Sequence, residues 1–456
     1  MRLPFINREK EIKRINNALS GQDISFIVIY GRRRCGKSRL LQHVCREQDV
    51  YFLADQNAKQ LQIMNLSHEI ARNMNGFNQV IYPSWESLLN ALNDRGNREM
   101  CLILDEFPYL VQSSPELPSV IQKQIDMQTL NIHLIICGSS QRMMQGIVMD
   151  SSAPLYGRAD EIIKIQPMSI HWLAQSLDLK PLKAIEHYSV WGGVPRYWEL
   201  AKKYASLKDA QKDLIYDKNG ILHNEPITLL LDNMRTTTQA HSLLAVIGNG
   251  NQRLANISRQ MGTSANNLSR PLANLIDLDY IRRELPYGES IRSTKRSLYK
   301  LADPFLMFWY KFIFPNQSLL ELDMIDDVYE NCQKNFSDHA AGIWEELARQ
   351  STIDLKIDTI KWKPGNRWWG TGIDGKQMEI DIIADDLDHK HILIGEVKWE
   401  ANSDIHRIGN RLKYVSQNFP NKKNKKIVLA CWLKSKPKNK SWIKNIITPE
   451  QIVKTF

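Results

Sequence analysis

Gly31, Gly36, Lys37 and Ser38 stand in the order Gly-x-x-x-x-Gly-Lys-Ser. Residue types at this spacing bind a phosphate chain. The glycines let the backbone curl until successive N–H groups face the phosphates, Lys37 reaches the β- and γ-phosphates, and the Ser38 hydroxyl ligates Mg²⁺. Cys35 and Arg39 flank these positions and join them as nucleotide-contacting candidates. Asp105 and Glu106 follow about 65 residues later, closing the apolar run Cys-Leu-Ile-Leu. Asp105 there holds Mg²⁺ through water, and Glu106 orients or deprotonates an attacking water. Ser139 and Ser140 end the run Ile-Ile-Cys-Gly, where either one sits beside a γ-phosphate or simply makes a turn. Arg158, in Pro-Leu-Tyr-Gly-Arg, either stabilises charge on the transferring phosphoryl group or forms a surface salt bridge.

A second constellation lies far downstream. Glu396 and Lys398 are two residues apart on an apolar strand, so they share one face. Asp381, on a neighbouring strand, comes alongside. Two carboxylates hold a divalent metal through oxygen, and a lysine beside them positions water or neutralises developing charge. Glu345, on a preceding helix, adds a ligand or orients one. A salt-bridged surface hairpin is the plainer explanation of the same residues.

The elements that must carry these groups follow an α/β rhythm. Strands are predicted at Ile24–Tyr30, Val50–Leu53, Met100–Leu104, Ile132–Cys137 and Glu161–Ile165, separated by helical patterns such as Gln60–Asn73, Trp85–Asn93 and Ser119–Leu130. Short apolar strands alternating with helices predict a parallel sheet covered on both faces, with ligands at its carboxyl edge. Helices are expected around Gly-Gly-Val-Pro-Arg-Tyr. A helix–turn–helix and a basic hairpin then give a winged-helix layout over Ala240–Leu301. Its third helix offers Asn266, Asn267, Ser269 and Arg270. Its wing offers Arg282, Arg283, Arg292, Lys295 and Arg296. Pro271 should kink the third helix, and such a unit serves for packing as readily as for DNA. The run Phe305–Phe314 reads as core or interface.

A chain of 456 residues is too long for one ordinary domain. Its 43% hydrophobic and 24% charged residues are those of a soluble globular protein, and no membrane segment is expected. Six scattered cysteines without a Cys-x-x-Cys pair predict reduced thiols in a cytoplasmic protein. The N-terminus lacks the apolar stretch of a secretory signal. The net charge of +10 is concentrated at the end of the sequence: residues 401–456 hold 13 Lys and Arg against 2 acidic residues. A polyanion, most simply nucleic acid, is one explanation, and a solvated basic surface is the other. Lys413, Lys422, Lys423, Lys425 and Lys426 are candidates to track a phosphate backbone, and Trp368 and Trp369 stack on bases or pack in the core.

The segments Phe-Ile-Asn-Arg-Glu-Lys, Gly31–Ser38, Leu-Ile-Leu-Asp-Glu-Phe, Cys-Gly-Ser-Ser, Pro-Leu-Tyr-Gly-Arg and Trp-Gly-Gly-Val-Pro-Arg-Tyr appear in one order. Together they resemble the archaeal-type prokaryotic ATPases of the STAND class, relatives of AAA+ ATPases, over roughly residues 3–315. The resemblance implies ATP binding and hydrolysis and a helical lid whose Pro195 approaches the base. It also implies an arginine-finger or sensor role for Arg158, and places Arg8 and Glu9 near the adenine or in packing. Residues of about 325–440 resemble the PD-(D/E)xK nucleases, with Asp381, Glu396 and Lys398 as the core. That implies Mg²⁺ or Mn²⁺ and DNA cleavage, although several members bind DNA without cutting it.

The expected fold is α/β: a P-loop ATPase core at 1–165, a helical lid at 166–220, a winged helix at 221–318 and a restriction-endonuclease-like α/β domain at 319–456. The expected function is an ATP-hydrolysing switch coupled to a metal-dependent DNA nuclease, with an ATP-dependent homo-oligomer as one form. An ATP-gated DNA-binding protein with a non-cleaving C-terminal domain is the alternative.

Overall fold

The run Phe-Ile-Val-Ile-Tyr-Gly forms strand β1, Phe26–Gly31, and all six residues are buried. A strand buried on both faces needs neighbours on both edges and helices above and below. The computed structural model, which describes residues 3–234, 237–290, 292, 294, 296–421, 425–438 and 441–455, supplies them. Strands β2 (Val50–Leu53), β3 (Cys101–Asp105), β4 (His133–Gly138) and β5 (Glu161–Ile165) complete a five-stranded sheet in the order β2-β3-β4-β1-β5. All its pairings are parallel. The predicted strands are therefore present, each within two residues of its expected bounds.

Helices cover the sheet through apolar stripes. The helix Trp85–Arg95 buries Trp85, Leu88, Leu89 and Leu92 on one side. Ser84 caps its start by accepting from the Ser87 N–H, worth about 1 kcal/mol. Phe26, Val28, Phe52, Leu66, Leu102, Leu104, Leu134 and Ile136 join that core.

The chain divides into two units. One comprises Arg2–Pro167 with Thr228–Arg235, the other Met168–Ile227 with Thr236–Phe456. In the second, Pro195 opens the helix Pro195–Ala201. Tyr197 and Trp198 are fully buried, and Trp198 donates its indole N–H to the Gly192 carbonyl at 2.9 Å. Helices Thr238–Gly248, Leu254–Gln260 and Ala265–Asp277 precede an antiparallel hairpin, β6 (Ile281–Glu284) and β7 (Leu298–Leu301). The third helix runs through Pro271, burying Leu268, Leu272 and Leu275. It leaves Asn266, Asn267, Ser269 and Arg270 exposed. Phe305, Phe308, Trp309, Tyr310 and Ile313 are core, in agreement with the sequence.

A mixed five-stranded sheet follows in the order β12-β11-β10-β9-β8. Its strands are β8 (Asn366–Thr371), β9 (Gln377–Asp385), β10 (His391–Lys398), β11 (Lys426–Leu433) and β12 (Asn445–Ile447). β8, β9 and β10 are antiparallel neighbours, and β10, β11 and β12 are parallel. Ile405, Ile408, Leu412 and Val415 of the helix Ile405–Asn418 pack on Ile392 and Ile394.

The structure bears on three readings that the sequence left open. Several basic residues of the wing have partners within the chain. Arg282 is ion-paired with Glu346, Arg296 donates to the Trp369 carbonyl at 3.1 Å, and the hairpin's Tyr287 donates to Asp385 at 2.6 Å. Arg283 lies over the Tyr299 ring, Arg292 is exposed, and Lys295 falls outside the described residues. Trp368 is 3% exposed and packs edge-on against Phe419, so it is core and offers no base a platform; Trp369 is half-buried beneath Arg367. Lys425 is paired with Asp385 at 2.6 Å. Lys413 and Lys426 are exposed, while Lys422 and Lys423 lie outside the described residues.

All six cysteines are free thiols. Among the described residues no helix is long and apolar enough to cross a membrane.

Candidate functional site

The phosphate-binding pattern occupies the turn between β1 and the helix Lys37–Val44. Two glycines are dictated by the backbone. Gly31 has φ of +146°, and a Cβ there would lie 2.4 Å from the Ile165 carbonyl oxygen. Gly36 has φ of +91°, a region that side chains disfavour. Lys37 is 5% exposed. Its ammonium donates to the carbonyls of Gly31 at 2.9 Å and Arg32 at 3.1 Å. Arg8, buried in the same unit, donates to the Cys35 carbonyl at 3.1 Å and the Gln166 carbonyl at 2.7 Å. The packing alternative thus describes Arg8, which braces the loop. Arg39 donates to the Leu3 carbonyl at 2.6 Å.

Sheet order brings the acidic pair to the same edge. Asp105 ends β3, and only β4 lies between β3 and β1, a separation of about 10 Å. Asp105 is fully buried. It accepts from the Tyr51 hydroxyl at 2.7 Å and the Glu106 N–H at 2.9 Å. Burial, then the Asp105 charge and hydrogen bond, push the Tyr51 hydroxyl upward. It stays protonated and keeps donating. Glu106 sits at φ of +53°, a conformation uncommon for a side-chain-bearing residue. That turn leads into the helix Phe107–Ser113. The Glu106 carboxylate accepts from the Ser139 hydroxyl at 2.9 Å and the Ser139 N–H at 3.3 Å. Ser140 instead caps the next helix. Between the two serines left open by the sequence, the geometry puts Ser139 against the acidic pair. Ser38 and Asp105 offer hard oxygen donors of the kind Mg²⁺ takes, and the buried Lys37 ammonium suits a phosphate, so the residues fit both.

Arg158 departs from the expected site. It precedes β5, and β1 and β5 run parallel from Ile27↔Glu161 to Gly31↔Ile165. Arg158 therefore lies at the amino edge, about 16 Å along the strands from the phosphate loop. There it forms a two-pronged pair with Asp126, at 2.7 and 2.8 Å. The salt-bridge alternative describes it within its own chain.

The second constellation is assembled on β9 and β10. Their register runs to Ile382↔Gly395. One step further, Asp381 stands opposite Glu396, on the same face. On its other edge, β9 shifts register against β8 between Asn366 and Trp368. Asp381 accepts the Val397 N–H at 2.9 Å. Lys398 donates to Glu396 at 2.7 Å. Burial and the neighbouring Asp381 charge raise the Glu396 and Glu345 carboxyls. Burial works against the charged Lys398, yet Glu396, Asp381 and Glu345 together raise it. Asp381, Glu396, Lys398 and Glu345 are thus electrostatic neighbours. Among the described residues no three His, Cys, Asp or Glu side chains converge on one point for an ion. Asp381 and Glu396 supply carboxylate oxygens on neighbouring strands, and Lys398 holds one of them.

Arg349 was not foreseen. It lies on the helix Phe336–Ser351, one turn after Glu345. It is 5% exposed. It donates to Glu346 at 2.6 Å and to the Asp381 carbonyl at 3.1 Å, and its guanidinium lies 3.7 Å from Glu345. Arg282 and Arg349 together hold the Glu346 carboxyl below its ordinary range against the opposing effect of burial. The Glu-x-x-x-Arg spacing was the available signal. Arg349→Ala should cost about 3 kcal/mol, because it leaves buried carboxylates unpaired. Urea unfolding followed by tryptophan fluorescence would register it; an unchanged midpoint would refute the bracing role.

Residues 5–200 match a family described as an ATPase domain predominantly from Archaea. An uncharacterized protein of Methanocaldococcus jannaschii, MJECL04, is 32% identical over 410 residues, 88% of each chain. The chain belongs to the same family as this archaeal protein. It is an archaeal-type P-loop ATPase. Residues 309–408 of the ATPase match a second family, described as Archaea bacterial proteins of unknown function. That span contains Glu345, Asp381, Glu396 and Lys398. Similar solved structures include the Aeropyrum pernix ORC2 protein, with 14% identity, 73% of this chain and 97% of that one covered, and a TM-score of 0.45. The Thermotoga maritima RuvB Holliday junction branch migration motor has 14% identity, 62% and 91% coverage, and a TM-score of 0.32.

Proposed function

We propose that this ATPase is a nucleotide switch whose output is a metal-dependent, DNA-cleaving C-terminal domain. One observation carries the reading: Asp381, Glu396 and Lys398 meet on adjacent strands beside Glu345. In this reading Lys37 holds the β- and γ-phosphates, with Cys35, Gly36 and Arg39 around them. Glu106 takes the proton of the attacking water. Ser139, hydrogen-bonded to Glu106, is the group through which a γ-phosphate reaches that carboxylate. Mg²⁺ would be held by Ser38 and, through water, Asp105, and would neutralise phosphate charge. Arg158, at the far edge of its own sheet, meets a γ-phosphate only in a second copy of the chain. That is the place of an ATP-dependent homo-oligomer in this account.

At the C-terminal site, Asp381 and Glu396 would hold Mg²⁺ or Mn²⁺, with Glu345 orienting them, and the ion would stabilise charge on the scissile phosphate. Lys398, held by Glu396, positions the water. The domain bounds at 165, 220 and 318 are part of the same proposal. A second reading, ATP-gated DNA binding without cleavage, is favoured by the Lys398–Glu396 hydrogen bond, in which the lysine neutralises the carboxylate. Plasmid incubated with Mn²⁺ separates the two. Nicking by the wild type that is lost in both Asp381→Ala and Lys398→Ala supports the nuclease. Equal inertness of all three, with gel retardation retained at low salt, supports the second reading.

A further inference from the structure

We propose that the cleft between the end of β10 and the helix Ile405–Asn418 binds the phosphodiester backbone of DNA, with Arg407 and Arg411 as its phosphate contacts. The inference rests on the nuclease reading and assigns that site its substrate-holding residues. The cleft encloses about 380 Å³, and Glu396, Lys398, Arg407 and Arg411 line it together. Arg407 and Arg411 are one helical turn apart, so both point to the same side. Lys398 enters from the strand, and three cations share one cleft.

Two of the three carboxylates lining the cleft have partners: Glu396 in Lys398 of the same cleft, and Asp404 in backbone N–H groups. Glu396 is hydrogen-bonded to Lys398 at 2.7 Å. Asp404 accepts the N–H groups of His406 at 3.0 Å and Arg407 at 3.2 Å. Glu400 also lines the cleft and is exposed. Arg411 is anchored by donation to the Glu379 carbonyl at 3.1 Å. The Arg407 guanidinium has no hydrogen bond or ion pair among the described residues. An uncommitted fork of N–H donors beside a lysine–carboxylate site matches the paired oxygens of a phosphate. A strand seated there would place its next phosphate toward Lys398.

The test measures binding of a labelled DNA duplex to the full chain across a salt series, without added divalent metal, so that nothing is cut. Arg407→Ala should weaken binding several-fold at low salt and reduce the slope of log affinity against log salt by about one. Arg407→Lys, which keeps the charge, should restore the slope. Lys390→Ala, an equal charge change at the opposite end of β10, should leave it unchanged. Wild-type binding that responds to Arg407→Ala no more than to Lys390→Ala overturns this inference and leaves the nuclease reading standing. A wild type that neither binds the duplex nor nicks plasmid overturns both.

Discussion

Lys37→Ala should weaken ATP binding by at least about 30-fold. The Lys37 ammonium is buried and held by two loop carbonyls, Gly31 and Arg32, at the mouth of the turn. No other lysine lies in the 31–38 pattern. Truncating one partner of a desolvated, hydrogen-bonded charge contact costs about 2–5 kcal/mol. The lower end of that range is already a factor of about 30. The Gly31 and Arg32 carbonyls also lose their donor, so the loop itself should loosen. Calorimetric titration with ATP and Mg²⁺ would show it, with circular dichroism confirming that the sheet remains. Normal ATP affinity in Lys37→Ala would contradict the assignment of the loop.

Glu106→Gln should separate binding from turnover. The amide keeps the size of the side chain and still accepts from the Ser139 hydroxyl. It loses the basicity needed to take a proton from water. General-base contributions of this kind are worth about 10²–10⁴ in rate. ATP affinity should stay within a few-fold of wild type while phosphate release falls by that factor. The positive φ of Glu106 is the backbone device that turns its carboxylate to the strand edge, and it is a reason to choose glutamine over glycine in the test. Turnover at the wild-type rate would mean that another group accepts the proton.

Much of this was legible in the residues because the relevant signals are local. Continuous apolar runs marked the strands of the first sheet, and the loop motif and the Asp-Glu pair each sat at the end of one. Asp381, Glu396 and Lys398 were legible for the same reason, since period-two geometry fixes which residues share a face. What was not legible depends on partners distant in sequence. Arg282 and Arg296 have the composition of a DNA-binding wing, yet Glu346 and the Trp369 carbonyl occupy them. Composition cannot distinguish those fates. Lys425 is spent on Asp385 in the same way. The register shift between β8 and β9 beside Asp381 depends on a pairing that no pattern within β9 announces. Arg158 is a different case. A residue just before a strand of a parallel sheet lies at the amino edge, so the α/β alternation already placed it away from its own phosphate loop. Chemistry at Arg158 was read from residue type, and topology sets it apart from its own phosphate loop.

The coupling between the two sites is the central claim, and it reduces to one ratio. Plasmid nicking is measured in Mn²⁺ with and without ATP, for wild type and for Lys37→Ala, in matched preparations. ATP should accelerate nicking by the wild type and have no effect on Lys37→Ala. Wild-type nicking that proceeds at the same rate with and without ATP would contradict it.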